Sequence, residues 1–304
     1  MSNPTTPTGE HSPSHAARLR TIAAQGTFAI PGTPIPLVAK LAEQQGFEAI
    51  YLSGAALSAG LLGVPDIGIV TLMQLVEQTR LLAGAVGIPL IVDADTGFGG
   101  PREVEHCVRM LEEAGAAAIQ LEDQRRPKRC GHLPGKEIID AAVMCEKIAA
   151  AAAARRDPAT VIIARSDSRG VSTFDDCLHR LHTYHAAGAD WLFPEALPTR
   201  IEFERMGREF SAPTAVPLIA NMTEFGVSPL IHLDDLAEMG FAAVLYPVTL
   251  LRIAMKAIEA GLAVIADEGS QESLLDLMQS REELYDLLGY DPQHPQRHLP
   301  AADK

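Results

Sequence analysis

Two carboxylates, separated by one residue, end an apolar segment and carry the clearest chemical signal in the sequence. Residues 88–95 read IPLIVDAD. Because a strand repeats every two residues, Asp93 and Asp95 are expected on the same side of it, where they repel each other unless a cation lies between them. With Glu122 at the end of the next apolar segment, they predict an oxygen-ligand site for Mg²⁺, with Mn²⁺ as the other candidate. The alternative is a pair of carboxylates that cap the helix after residues 96–100.

A single cysteine follows a run of basic residues directly after Glu122. Residues 122–136 read EDQRRPKRCGHLPGK, with Cys130 between Arg129 and Gly131. The thiolate is the reactive form of cysteine, and nearby positive charge favours it. Gly131 and Gly135 leave the backbone free to move, as an active-site lid requires. The alternative is a solvated basic loop with an incidental cysteine.

Several other residues could bind the carboxylates of a small substrate. Arg165, Arg252 and Arg281 can each bind a carboxylate through two hydrogen bonds. Arg165 is the strongest candidate because it ends an apolar, strand-like segment, where an arginine is rarely a core residue. Arg281 lies in a charged helix start and is predicted to be solvated from the residues alone. The residues after Tyr51 form a small turn, Ser53-Gly54-Ala55, that could offer backbone N–H groups to an anion, or could be a plain tight turn.

The elements that would hold these residues follow a repeated pattern. Segments that open with glycine and become apolar recur at 46–53, 115–122, 188–195 and 240–247, and further short apolar segments lie at 27–30, 88–93, 160–165 and 217–221. Helical patterns at 34–45, 71–85, 101–114, 141–156, 173–187, 200–210 and 233–239 separate them. Eight such strand–helix units predict an α/β fold of the closed (β/α)8 TIM-barrel type. The candidate residues at strand ends then share one rim: Ser53, Asp93, Asp95, Glu122, Arg165, Glu195 and Asn221.

Composition limits the domain organisation and the partners. The chain has 304 residues and 47% hydrophobic residues, which favours one barrel domain at 17–290 between a disordered tail at 1–16 and a flexible tail at 291–304. Helical patterns at 249–267 and 271–288 exceed what one barrel helix requires and predict an arm that packs on another subunit. A net charge of −14 argues against nucleic acid and anionic membranes as partners. Four cysteines without CxxC spacing, and the lack of an apolar signal segment, predict a cytoplasmic protein.

Nine motifs in this order and spacing resemble one enzyme family. YLSGA, VPDIG, VDADTGFG, QLEDQ, PKRCGH, IIARSD, LFPEA, NMTEFG and LYPVTLLR are similar to motifs of the isocitrate lyase/phosphoenolpyruvate mutase superfamily and, within it, of the 2-methylisocitrate lyases. The resemblance covers residues 18–290. It implies Mg²⁺-dependent cleavage of the tricarboxylate 2-methylisocitrate to pyruvate and succinate, in the methylcitrate cycle of propionate catabolism. It also implies a homotetramer in which a C-terminal helix is exchanged between subunits.

The resemblance assigns a role to each matching position. Asp93, Asp95 and Glu122 match the metal site, and Cys130 matches the acid–base cysteine. Tyr51 and Asp66 match residues that assist the substrate alkoxide. Positions that match substrate contacts are Ser53, Gly54, Ala55, Gly131, His132, Arg165, Glu195, Asn221, Thr223, Arg252 and Arg281. Many relatives have glycine where this chain has Ala55.

The same motifs leave the substrate open. Phe193 and Leu245 match positions where 2-methylisocitrate lyases leave space for a methyl group, but one methyl group is worth only ~1–3 kcal/mol of discrimination. Isocitrate lyases, 2,3-dimethylmalate lyases and carboxyphosphonoenolpyruvate phosphonomutases are therefore alternatives. A barrel that binds a dicarboxylate without catalysis is an alternative of another class, which the cysteine, the paired aspartates and the arginines disfavour.

Overall fold

The computed structural model describes residues 13–211 and 215–295, which form a (β/α)8 barrel of the TIM type. Its strands are β1 (Phe28–Pro31), β2 (Ile50–Leu52), β3 (Leu90–Asp93), β4 (Ala118–Glu122), β5 (Val161–Ser166), β6 (Trp191–Pro194), β7 (Ile219–Asn221) and β8 (Ala243–Tyr246). All eight predicted strands are present. The predicted segments that open with glycine begin three or four residues before the observed strands, because those glycines end the preceding helices with positive φ.

Eleven α-helices occur in the described residues. They are α1 (His15–Gln25), α2 (Pro36–Gln44), α3 (Gly54–Leu57), α4 (Leu72–Ala83), α5 (Pro101–Glu113), α6 (Ala141–Ala154), α7 (Phe174–Ala186), α8 (Arg200–Ser211), α9 (Leu233–Glu238), α10 (Thr249–Glu268) and α11 (Arg281–Leu288). Proline in the first turn helps to start α2 and α5. None of these helices is both long and apolar enough to cross a membrane.

The strands are parallel and close on themselves. Strands β2 to β6 pair in chain order, and β1, β8 and β7 form a second run. Two isolated bridges join the runs, Gly32 to Tyr51 and Leu192 to Leu218. The carboxyl ends of all eight strands therefore meet at one rim.

The core has an outer and an inner layer, because alternate strand residues face opposite ways. Ile50, Leu90 and Ile162 belong to the layer between the sheet and the helices. The next residue of each strand, Tyr51, Ile91 or Ile163, faces the barrel interior.

Helix α1 contributes buried side chains to the inner layer. Ala16, Leu19 and Ile22 pack with the interior-facing strand residues, so this helix fills the barrel at the end opposite the carboxyl-terminal rim. Helix α1 was not predicted from the sequence. Ser14 caps the start of α1, because its side-chain Oγ accepts a hydrogen bond from the Ala17 N–H at 3.2 Å.

The ends of the chain differ in part from the prediction. The N-terminal tail was predicted at 1–16, but α1 begins at His15; residues 1–12 and 296–304 lie outside the described residues. The helix predicted at 271–288 is divided into a 3-10 turn, Glu272–Leu277, and α11. The division arises because Met278 is extended and Ser280 starts a new helix through a capping box with Glu283.

Candidate active site

The polar residues of the rim continue the interior-facing rows of the strands. On β3, Ile91 faces the interior, and a period of two places Asp93 above it. On β5 the same step leads from Ile163 to Arg165. A barrel that is apolar at mid-height thus becomes polar at the carboxyl ends of its strands.

Three carboxylates meet at this rim. Ligand oxygens of Asp93, Asp95 and Glu122 all lie within 4.8 Å of one another, and the three residues are buried. Asp93 accepts hydrogen bonds at 3.2 Å from the Gly54 N–H, at 3.1 Å from Gln120 Nε2 and at 3.0 Å from the Asp95 N–H. These donors fix the Asp93 carboxylate in one orientation.

The donor set fits a hard divalent cation. Burial raises the pKa of Glu122 well above its usual value, although Arg165 and Lys128 lower it. Burial also raises the pKa of Asp95 to about 6, against the effect of Lys128. Among the described residues, neither carboxylate oxygen of Glu122 accepts a hydrogen bond. Buried oxygens that lack donors are suited to ligating a cation directly or through water.

Lys128 is the positive charge that lies against this cluster. Its ammonium is 2.7 Å from Asp95 Oδ1 and 2.5 Å from Asp66 Oδ1, and its side chain is only 4% exposed. Burial would lower its pKa, but Glu122, Asp95 and Asp66 raise it above the usual value. Lys128 therefore stays charged and partly compensates the carboxylates.

A second cluster surrounds Arg165. Its guanidinium binds Asp167 through Nε at 2.9 Å and Nη2 at 3.1 Å, and lies 3.5 Å from Glu122 Oε2 and 3.4 Å from Glu195 Oε1. Asn221 Nδ2 donates to Glu195 Oε2 at 3.1 Å. Burial would raise the pKa of Glu195, but Arg165 and His132 lower it, so this carboxylate is ionised.

His132 is held by two contacts that define its tautomer. Its Nδ1 accepts the Val227 N–H at 3.1 Å, so the ring proton lies on Nε2. Nε2 in turn is 3.2 Å from Glu195 Oε1. A side chain at Gly226 would overlap the imidazole ring, so glycine at this position lets the histidine reach the rim.

The cysteine loop lies over the same cavity. Cys130 is half-buried and lines the cavity together with Tyr51, Ser53, Ala55, Asp66, Asp93, Gly131, His132, Arg165, Phe193, Glu195, Asn221, Thr223, Leu245, Pro247, Val248 and Arg252. Gly131 lies directly against Arg165 and Glu195, since a Cβ there would be 2.6 Å from Glu195 Cγ. The structure thus brings nearly all the predicted site residues together.

Tyr51 and the turn after β2 occupy defined places. The Tyr51 hydroxyl donates a short hydrogen bond to Gln120 Oε1, and burial raises the pKa of Tyr51 well above 10. Ser53 caps α3, where its Oγ accepts the Ala56 N–H at 3.4 Å. The Gly54 N–H donates a hydrogen bond to Asp93, so the turn supports the acidic cluster. The turn therefore has one backbone N–H fewer to offer an anion than the sequence predicted.

Arg281 is the predicted site residue that the structure does not place at the cavity. It is exposed at the start of α11, which packs near α2, and it is not among the residues that line the cavity. Arg252, by contrast, reaches the cavity, half-exposed and 3.5 Å from Glu224 Oε2.

Four further polar residues at the rim were not predicted as site residues from the sequence: Gln120, Lys128, Lys136 and Asp167. Each is buried and polar, and each contacts a residue of the rim. A weak signal was available, because Gln120 lies on the same face of its strand as Glu122. For Lys136 the sequence carried no such signal, because its partner Asp167 lies 31 residues further along the chain.

Comparison with known proteins agrees with this geometry. The model of the phosphoenolpyruvate phosphomutase family matches residues 19–266, most of the barrel. The chain belongs to this family.

Relatives within the phosphoenolpyruvate phosphomutase family span several activities. A 2-methylisocitrate lyase of Aeropyrum pernix is 50% identical over 260 residues, which cover 86% of this chain and 82% of the relative. The crystal structure of 2,3-dimethylmalate lyase, described as a member of the PEP mutase/isocitrate lyase superfamily, superposes with a TM-score of 0.84 at 32% identity, covering 92% and 93% of the two chains. Phosphonopyruvate hydrolase, solved with oxalate and Mg²⁺, superposes with a TM-score of 0.83 at 32% identity, covering 93% and 97% of the two chains.

Proposed function

We propose that the protein is a Mg²⁺-dependent lyase that cleaves 2-methylisocitrate to pyruvate and succinate. The observation that carries the proposal is the position of Cys130, which lines one cavity with Asp93 of the acidic cluster and with Arg165. A proton donor, a cation site and a carboxylate-binding group are what carbon–carbon cleavage of a polycarboxylate requires. The 50% identity with a 2-methylisocitrate lyase favours this substrate within the family.

Asp93, Asp95 and Glu122 would hold the Mg²⁺ ion. Bound there, the ion supplies positive charge to the hydroxyl and carboxylate oxygens of the substrate. The oxalate and Mg²⁺ of the phosphonopyruvate hydrolase structure belong to a relative with the same fold and support the choice of metal.

Cys130 would act as the acid in the cleavage direction. When the bond between the two central carbons breaks, the hydroxyl carbon becomes the carbonyl carbon of pyruvate, and the hydroxyl proton leaves to a base. The electron pair stays on the succinate carbon, which takes a proton from the Cys130 thiol. In the reverse direction the Cys130 thiolate removes that proton, so the thiol is regenerated.

The remaining rim residues would bind and orient the substrate. Arg165 lines the cavity, and its Nη1 is not bound by Asp167, which occupies Nε and Nη2. Arg252 offers a second cation at the cavity mouth, and Thr223 offers a hydrogen-bond donor. Asn221 Nδ2 already donates to Glu195, so Asn221 offers its Oδ1 acceptor, which has no partner among the described residues. Tyr51 is neutral because its pKa is raised, and its hydroxyl proton points to Gln120 Oε1. It can therefore accept a hydrogen bond from the substrate but is a poor base at neutral pH.

Pyruvate release from three substrates tests the proposal. 2-Methylisocitrate, isocitrate and 2,3-dimethylmalate should each be supplied with Mg²⁺ and with EDTA. We expect turnover of 2-methylisocitrate that exceeds the other two and stops with EDTA. Since one methyl group is worth only about 1–3 kcal/mol, some turnover of isocitrate is also expected. Turnover of 2,3-dimethylmalate above the others would contradict the substrate and keep the lyase class.

Cys130→Ser separates the mechanism from the substrate. This variant should bind Mg²⁺ normally and lose nearly all lyase activity, because serine is a far weaker acid than cysteine. Undiminished activity would contradict the role of Cys130. Failure of the wild-type protein on all three substrates would instead favour a phosphonate substrate or a binding role.

We also propose that the protein is a homotetramer that exchanges α10 between subunits. This 20-residue helix has no buried residue in the described chain. Its exposed apolar side chains include Ile253 at 62%, Leu262 at 62% and Ile265 at 51%. A face of this kind is expected to pack on another subunit. Light scattering tests the proposal, and a monomer in dilute solution would contradict it.

We further propose that the enzyme works in the cytoplasm. All four cysteines are free thiols, as in a reducing compartment. Fractionation of the source cells, with the chain detected by antibody, tests this proposal. Recovery outside the cytoplasm would refute it.

A further inference from the structure

Lys136 is a buried lysine that no step of the proposed reaction uses. Its side chain is 2% exposed, and its ammonium donates to Asp167 Oδ1 at 2.9 Å. It also donates a short hydrogen bond to the carbonyl oxygen of Gly131, the residue after Cys130. A lysine is almost never buried to this degree unless it is paired, and here both partners belong to functional segments.

Asp167 connects this ammonium to the substrate-binding arginine. Its carboxylate has no exposure, and its two oxygens accept from Arg165 Nε and Nη2. Oδ1 is shared between Arg165 and Lys136. The backbone N–H of Asp167 donates to Asp123 Oδ1 at 2.8 Å, which anchors the main chain that carries this carboxylate.

The surrounding backbone is shaped to admit the lysine. A Cβ at Gly170 would lie 2.7 Å from both Cε and Nζ of Lys136, so a larger residue would block its path. At the other end, Gly131 lies so close to Arg165 and Glu195 that only glycine fits. The base of the loop is held separately, where Arg125 N–H donates to the Glu137 carbonyl at 2.8 Å.

We propose that Lys136 and Asp167 form a latch that positions the Cys130 loop and Arg165 together. The inference rests on the proposed lyase function, because it assigns these two residues to the same reaction. When the loop lies over the cavity, one ammonium joins the carbonyl beside Cys130 to the carboxylate that orients Arg165. When the loop leaves, Asp167 loses one of its two cations. Closure of the loop therefore positions the Cys130 thiol and the Arg165 guanidinium at the same time.

Lys136→Met tests the latch. It leaves no buried charge unpaired, because the Asp167 carboxylate still accepts two hydrogen bonds from the Arg165 guanidinium. Arg155→Met is the matched control. Arg155 Nη1 also contacts one carbonyl, Thr160 O at 2.8 Å, and one carboxylate, Asp190 Oδ2 at 2.6 Å, but it precedes the amino-terminal end of β5, far from the cavity. Both variants lose one positive charge and the same kinds of contact.

The first measurement is the rate at which iodoacetamide alkylates Cys130, followed by mass spectrometry of the loop peptide. Loss of a charge-assisted hydrogen bond shifts an equilibrium on the order of tenfold, so alkylation of Cys130 should accelerate by about that factor in Lys136→Met. The rate at Cys145 should not change and serves as an internal reference. Arg155→Met should alkylate like the wild type.

The second measurement is turnover. Misplacement of reacting groups by about 1 Å costs on the order of 100-fold, so kcat should fall by about that factor in Lys136→Met and little in Arg155→Met. In an Asp167→Asn background, adding Lys136→Met should change the alkylation rate by less than about threefold, because the latch is already released.

Two results would overturn the inference. One is a Cys130 alkylation rate in Lys136→Met equal to that of the wild type. The other is a full tenfold acceleration on top of Asp167→Asn, which would mean that the lysine acts independently of Asp167. Alkylation does not depend on the substrate, so a protein inactive on 2-methylisocitrate that still shows the expected alkylation pattern would contradict the proposed function and support the latch.

Discussion

Replacing Gly131 with alanine should abolish most of the activity while leaving the barrel folded. Gly131 lies in the loop next to Cys130, and its Cα faces Arg165 and Glu195. The added Cβ would lie 2.6 Å from Glu195 Cγ, and closer still to Glu195 Oε1 and Arg165 Nη2. All three atoms are buried in the ion-pair cluster of the rim and have little room to withdraw.

The size of the effect follows from this distance. Carbon atoms in contact prefer a separation of about 3.5–4.0 Å, so the loop must retreat by about 1 Å or displace the Arg165 fork by as much. A misplacement of about 1 Å in a catalytic site costs on the order of 100-fold in rate. We therefore expect kcat for pyruvate release to fall about 100-fold.

Gly60→Ala is the control for this variant. Gly60 is exposed, and a Cβ there would meet only the Leu251 side chain, at 3.6 Å, which is ordinary contact. Gly60→Ala should keep the wild-type kcat. Both variants should melt within about 2 °C of the wild type, since neither removes core packing.

Coupled detection of pyruvate over a range of substrate concentrations gives kcat and KM separately. A Gly131→Ala protein with wild-type kcat would refute the argument, because it would mean that the loop does not lie against Arg165 and Glu195 during turnover. A large fall in melting temperature would assign the effect to folding instead.

Three further predictions concern stability, pH and the metal. Tyr184→Phe removes the hydroxyl that donates to Asp123 Oδ2 at 2.8 Å and should lower the free energy of unfolding by about 2 kcal/mol in urea titrations; an unchanged midpoint would contradict this role. Burial raises the pKa of Cys107 and Cys177 to about 12, so their stabilising contribution is complete below the unfolded thiol pKa of about 8.5 and is lost as pH rises toward 12. The free energy of unfolding should therefore be smaller at pH 10.5 than at pH 8. In a Cys107→Ser, Cys177→Ser double variant this difference between the two pH values should be smaller than in the wild type. Asp93→Asn should abolish calorimetric Mg²⁺ binding without lowering stability, because it relieves repulsion within the acidic cluster; retained binding would move the metal site elsewhere.

Residues whose role depends on position along a strand were predictable. A period of two and a strand end are local properties, so Asp93, Asp95, Glu122 and Arg165 could be assigned to one rim before any distance was known. The closed barrel then brought these strand ends together. The eight strands and the helices between them were predicted for the same reason, because apolar runs and glycine stops are visible in the sequence.

Residues whose role depends on a distant partner were not predictable. Lys128 reads as one of several basic residues in a loop, and only its burial between Asp66 and Asp95 distinguishes it from exposed Arg125 and Arg129. The end of the barrel closed by α1 was missed for a similar reason, since a short helix reveals its function only when the interior it fills is known.

The sequence by itself determined the fold class, the family and the chemical types gathered at the rim, because these depend on periodicity, spacing and motif order. The tertiary structure decided which charges compensate which. It paired Lys136 with Asp167 across 31 residues, placed Gly131 against Arg165 and left Arg281 outside the cavity. The physical reason is that ion pairing and desolvation depend on distances of a few ångströms between segments, and those distances are fixed only when the barrel closes.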